Sequence, residues 1–173
     1  GVEMSHVEFY ERLQRDRIHP TTSVPGPGAF HKAYTELARS GADGIVSIHI
    51  GERLSAVANV ARMAAEENLP VPVAVLDSGN LTLGVGLMAV HAAEAANAGA
   101  SMDEVIAIVQ DLRKRTSCFA GLNTLEYMRR SGRISSLQAG LGSFLQLKPI
   151  LKMHDGEVAT ERVRTRARSL RRL

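Results

Sequence analysis

Apolar residues along the first two thirds of the chain fall into two alternating textures. Short β-branched and aliphatic runs, Ile45-Val46-Ser47-Ile48-His49-Ile50 and Val71-Pro72-Val73-Ala74-Val75-Leu76, suit strands buried on both faces. Between them, apolar residues recur three and four positions apart, the spacing of one helix face. Ser5 with Glu8 and Ser101 with Glu104 have capping-box spacing, which predicts helices running to about residues 15 and 116. A helix with Phe30, Tyr34, Leu37 and Ala38 on one face follows the stiff Pro25-Gly26-Pro27-Gly28 turn and stops at Ser40-Gly41. Residues 44–68 read as a strand, a turn at Gly51 and a helix with Ser55 in its first turn. Asn80 is placed to cap an alanine-rich helix closed by Gly99, and Gly84 and Gly86 suggest close packing against a sheet or a ligand. This strand–helix–strand–helix order predicts a parallel sheet with helices on both faces.

After Cys118 the pattern changes. Residues 119–122 read as a strand, 124–130 as a helix, Ser131-Gly132-Arg133 as a turn, and 135 to about 144 as a glycine-interrupted helix. Asp155-Gly156 between two strand-like runs is a hairpin signal. A hairpin does not belong to the crossover pattern before it. The expected fold is therefore α/β: a parallel sheet flanked by helices over residues 1–116, then the start of a second α/β domain over 117–173 that contains the hairpin. The chain opens on Gly1 and stops soon after the hairpin, which reads as a middle fragment of a longer protein.

At 173 residues the chain has room for one domain, or one and the start of another. No apolar run approaches the ~20 residues that span a bilayer, and there is no secretory signal. Cys118, the single cysteine, forms no disulfide framework or metal cluster; it reads as a small buried hydrophobe or, alternatively, a reactive thiol. A reducing cytoplasm is the default. The net charge of +3 comes from six arginines among the last twelve residues; the rest of the chain holds 15 basic against 18 acidic residues. One basic tail without aromatic or groove-reading elements does not make a nucleic-acid footprint. The tail reads as solvated or partner-facing.

The chemistry on offer is sparse. Ser55 is not in a Gly-x-Ser-x-Gly elbow, and the six histidines are scattered. His49 is a satisfied core histidine or a base; Asp77-Ser78, at a strand's carboxyl end, caps a helix or lines a site. No metal-ligand spacing, phosphate loop or dinucleotide fingerprint occurs. Arg133 is an anion partner or a surface turn residue. What remains is hydroxyls at strand ends, a helix N-terminus, one arginine and much small apolar surface. That suits a binder of something apolar with an acidic head. Two other readings stand beside it: a serine-dependent acyl hydrolase or acyltransferase using Ser55, and a regulator acting through its arginine tail.

Pro20-Thr21-Thr22-Ser23, Leu54-Ser55, Leu76-Asp77-Ser78, Gly84-Val85-Gly86, the run from Leu122-Asn123-Thr124-Leu125 to Gly132-Arg133-Ile134, and Lys148-Pro149-Ile150-Leu151 occur in that order. This set resembles the DegV family of bacterial fatty-acid-binding proteins over nearly all of the chain. The resemblance implies two α/β domains with a lipid between them, the first here lacking its opening Asp-Ser strand. It implies a cytoplasmic carrier without catalytic activity or cofactor. Its ligand would be a long-chain fatty acid, its partner a fatty acid kinase that phosphorylates the carboxylate, with transient membrane contact besides. Thr22 and Ser55 would hydrogen-bond the carboxylate, with Arg133 in support. Arg164 and Arg166 would touch the kinase or line a solvated helix face. A histidine that the family uses late in its second domain lies past the chain's end. Gly51-Glu52 and Ala56-Val57 stand where the family has Ser-Ser and Gly-Thr, and Val24-Pro25 replaces Gln-Pro. Glu52 is expected to weaken carboxylate binding unless it points to solvent.

Overall fold

The computed structural model of the chain describes residues 3–16, 18–133, 149–161, 163, 167 and 171. Its elements are α1 (His6–Arg15), α2 (Pro27–Arg39), β1 (Ile45–His49), α3 (Val57–Ala65), β2 (Val73–Asp77), α4 (Leu83–Asn97), α5 (Met102–Arg115), β3 (Ser117–Gly121), α6 (Glu126–Arg130), β4 (Ile150–His154) and β5 (Glu157–Glu161).

Strands β1 and β2 pair in parallel, Ile45 opposite Val73 and His49 opposite Asp77. Because successive side chains leave a strand on opposite faces, β1 feeds two cores. Ile45 packs with Tyr34, Ala64, Val71 and Val73 beneath α2 and α3. Val46, Ile48 and Leu76 pack with Met88, Ala92, Val105 and Val109 beneath α4 and α5. Helices therefore cover both faces, as the crossover pattern predicts. The face that α3 turns to the interior consists of Ala58, Ala61 and Ala64, all fully buried, so this helix lies close to its neighbours.

The helix ends show which local signals hold. Ser5 Oγ accepts the Glu8 N–H at 3.1 Å, and at α5 the capping box is complete, with the Glu104 carboxylate accepting the Ser101 N–H at 2.7 Å. Arg113, Lys114 and Arg115 in the last turn of α5 complement its dipole. Several expectations are corrected. First, α3 begins at Val57, so Ser55 precedes the helix instead of sitting in its first turn. Second, Asn80 does not cap α4. That helix starts at Leu83 behind Thr82 (φ 48), while the fully buried Asn80 donates Nδ2–H to the Thr116 carbonyl at 3.0 Å. Gly84 lies against Asn80, where a Cβ would fall 2.5 Å from Oδ1, whereas Gly86 touches nothing. Leu37, expected on the buried face of α2, is 49% exposed.

Past α5 a second sheet begins, antiparallel in the order β3-β4-β5. Asp155 (φ 46) and Gly156 (φ 78) form the left-handed two-residue turn that suits the twist of a hairpin. The glycine-interrupted helix expected over 135–144 lies outside the described residues. The hairpin end of this sheet rests on the loops that follow β1 and β2. Gly156 N–H donates to Gly79 O at 2.9 Å, and Met153 of β4 abuts Gly51. Among the described residues, no helix is long and apolar enough to cross a membrane.

Candidate functional site

The carboxyl end of β1 turns into a tight loop, residues 50–56. Gly51 N–H donates to Asn80 O at 2.8 Å, which ties this loop to the one after β2. Leu54 and Ser55 N–H groups both return to Gly51 O, at 2.9 and 3.3 Å, and close a turn that leads into α3. Asp77, at the end of β2, accepts the Glu52 N–H (3.3 Å) and the Gly79 N–H (2.9 Å) on one carboxylate oxygen. Half-buried Ser55 accepts the Val57 N–H on its side-chain oxygen at 3.4 Å.

Arg133 comes to this loop from the other side of the molecule. Its Nη1 donates to Ser131 O at 2.9 Å, and its Nε reaches Leu54 O at 3.4 Å, one residue from Ser55. The structure thus brings Arg133 to the loop that holds Ser55. Thr22 sits exposed in the irregular stretch before α2. That stretch is anchored by His19, whose ring stacks on Tyr127 of α6 with centroids 5.9 Å apart. Since α6 leads within three residues to Arg133, it meets the Thr22 segment at one end and the Ser55 loop beyond the other. An apolar groove of about 640 Å³ beneath α1, lined by Met4, Phe9, Leu13 and Ile18, ends at Pro20, two residues before Thr22. Arg164 and Arg166 lie outside the described residues.

The charge at Glu52 is accounted for. Its carboxylate pairs with Arg62 of α3, so the charge on the loop is compensated by the helix that follows it. Behind the loop, Tyr34 OH donates to Ser47 Oγ at 2.9 Å, and Ser47 Oγ lies 2.8 Å from His49 Nε2. Ser47 Oγ can donate to Nε2 or accept from it, according to the tautomer of the ring. Burial first, and the Arg62 charge second, hold His49 below its ordinary pKa of 6.5. It is half-buried behind the loop and hydrogen-bonded to Ser47. Among the described residues no group of three or more His, Cys, Asp or Glu could hold a metal ion.

Sequence reasoning missed the residues that join the two sheets. Arg113 Nε donates to Asp155 Oδ1 at 2.7 Å while Nη1 donates to Asp77 O at 3.0 Å, and Arg53 pairs with Glu157 at 2.5 Å. Each couple is separated by dozens of positions, and no spacing rule connects them. The one local signal was the Asp-Gly turn itself, which marks a protruding backbone.

Residues 1–173 match the family model described as "Uncharacterised protein, DegV family". A DegV domain-containing protein of Streptomyces coelicolor is 41% identical over 174 residues, covering 100% of this chain and 61% of the relative. A solved DegV family protein from Thermus thermophilus, described by its fatty acid binding, superposes with a TM-score of 0.83 at 36% identity, over 96% of this chain and 59% of that one. Bacillus subtilis DegV, described as a fatty acid binding protein, superposes with a TM-score of 0.86 at 32% identity, over 99% of this chain and 61% of that one. The chain spans less than two thirds of the length of each of these relatives.

Proposed function

Because the chain belongs to the DegV family, we propose that it binds a long-chain fatty acid between two α/β units, residues 1–116 and 117–173, and presents the carboxylate to a partner fatty acid kinase. Thr22 and Ser55 donate hydrogen bonds to the carboxylate, and Arg133 supplies the opposite charge. The observation that carries this reading is the reach of Arg133 to Leu54 O, which sets a guanidinium beside the loop that ends at Ser55. The fatty-acid binding described for the Thermus and Bacillus relatives supports the choice of ligand.

Magnitudes divide the labour. Burying about 14 methylenes at roughly 0.8 kcal/mol each gains about 11 kcal/mol before the costs of association. Hydrogen bonds to the charged head add about 1.5–3 kcal/mol each. The tail sets affinity, and the polar residues fix register. The protein acts as a carrier, without a catalytic step or a cofactor. In support, Ser55 Oγ is bonded to a backbone amide, and among the described residues no histidine or carboxylate hydrogen-bonds to it as an activating base. Arg164 and Arg166 contact the kinase, and the protein works in the cytoplasm with transient contact to membranes. Native mass spectrometry of the protein purified from cells tests the reading: a carrier retains a long-chain fatty acid. Turnover of an acyl ester that disappears in Ser55→Ala would overturn it in favour of a hydrolase.

A further inference from the structure

We propose that Arg113 is a positioning residue that holds the second sheet against the strand ends of the first, and thereby keeps Arg133 at the Ser55 loop. This rests on the fatty-acid reading of that seam. Arg113 stands on α5, whose Val105 and Val109 are buried in the core, so its base does not move independently of the first sheet. Its guanidinium forks between the two sides. Nε donates to Asp155 in the hairpin turn at 2.7 Å, while Nη1 donates to the Asp77 carbonyl at 3.0 Å and lies 3.5 Å from the Asp77 carboxylate. A planar fork suits such two-sided bonding as a lysine does not.

The contact beneath it is built closely. Gly156 N–H donates to Gly79 O at 2.9 Å, and a Cβ on Gly79 would fall 2.6 Å from Gly156 N and 2.9 Å from Arg113 Nε. Arg113 also acts on the Ser55 side, because the Asp77 carboxylate that it faces accepts the Glu52 N–H of that loop. The β3–β4 ladder runs from this turn to the Gly121–Ile150 pair, after which the chain leads through α6 to Arg133. At the turn the second sheet is fastened by Arg113 together with the Arg53–Glu157 pair and the Gly156–Gly79 backbone bond, and beyond α6 by Arg133 at Leu54. Undoing the Arg113 fork loosens the turn end, and the gap between Ser55 and Arg133 becomes less tightly fixed.

The test compares the full natural chain with Arg113→Gln, Asp155→Asn, the double variant and Arg113→Lys. Each is read by hydrogen exchange at the Gly156 amide and by the dissociation rate of cis-parinaric acid, a fluorescent long-chain fatty acid. Either single change is expected to raise both rates about tenfold, and the double variant no further, while the unfolding midpoint moves little. Wild-type dissociation should quicken with added salt, Arg113→Gln should lose that dependence, and Arg113→Lys should recover part of it. Additive effects, or unchanged rates in Asp155→Asn, overturn the proposal; that variant alters only the exposed turn, so it decides the matter if Arg113→Gln misfolds. If the wild type holds no probe, the fatty-acid reading fails, and Gly156 exchange alone still decides whether Arg113 fastens the sheets.

Discussion

Gly51→Ala probes the point where the Ser55 loop meets the second sheet. Gly51 has no left-handed φ, so alanine suits the backbone and the cost is one of packing. The added Cβ would fall well inside 3.0 Å of Met153 Cε, with Asn80 backbone N and O behind it at 3.4 and 3.5 Å. Ordinary carbon contacts lie at about 3.5–4.0 Å, and a backbone already in contact cannot retreat, so Met153 must move. Met153 is 2% exposed and stands between Cys118 and Val158 in the sheet register, which denies it an open side. Its unbranched thioether can still swing, which keeps the cost within the usual overpacking range of about 1–3 kcal/mol. Met153→Ala alone should cost about 2–5 kcal/mol through the cavity it leaves. In the double variant the new methyl occupies part of that cavity, so the losses should fall short of additive by about 1 kcal/mol or more. Urea denaturation of the four proteins measures this cycle. A Gly51→Ala variant within about 0.5 kcal/mol of wild type, or strictly additive losses, would refute the contact as the point where loop and sheet constrain each other.

Three further outcomes are expected. Ser55→Ala should still bind fatty acid, with Kd raised about tenfold to a hundredfold by the loss of one charge-assisted hydrogen bond, but should lose most phosphorylation by the kinase; unchanged phosphorylation would rule Ser55 out as a head-group ligand. Arg62→Ala strips Glu52 of its partner and should weaken fatty-acid binding about two- to fivefold, the scale of a partly exposed ion pair. Adding Glu52→Gln should restore it, and a titration in which it does not would assign the loss to something other than charge. His49 is held below 6.5 in the folded chain, so the unfolded chain takes up the proton first. Its contribution is whole above pH 6.5, declines as pH falls below that toward the folded value, and is constant beneath it. His49→Gln should flatten the part of the stability–pH curve that lies below about pH 6.5, and an unaltered slope would place the titration elsewhere.

Local chemistry made much of the fold readable. Ser101 with Glu104 and Asp155 with Gly156 act through their own neighbours along the chain, and both stand where their spacing placed them. The short β-branched run in β1 identified a strand covered on both faces, because successive side chains leave a strand on opposite sides and both sides here are apolar. Reading failed where a residue's partner is distant. Asn80 has the chemistry of a helix cap, but burial against Thr116 claims its amide. Ser55 looked helical because the apolar spacing runs on through it, whereas the turn closed on Gly51 O delays the helix to Val57. Leu37 fits the apolar stripe of α2 yet is half exposed, since Tyr34 and Phe30 fill the contact with β1 and its neighbours. At the site, the pairing of Glu52 with Arg62 spans ten positions, across the boundary between loop and helix, and a charge pattern alone could not assign it.

The row of methyl groups on α3 has a bearing on redesign. Ala58, Ala61 and Ala64 are fully buried, so larger side chains there would press on their neighbours, lift the helix and carry the preceding loop with it. Positions 52, 53 and 56 on that loop are exposed, but Glu52 is paired with Arg62 and Arg53 with Glu157, so of the three only position 56 changes without breaking an ion pair. Redesign of this loop should therefore start at position 56 and leave the alanines untouched.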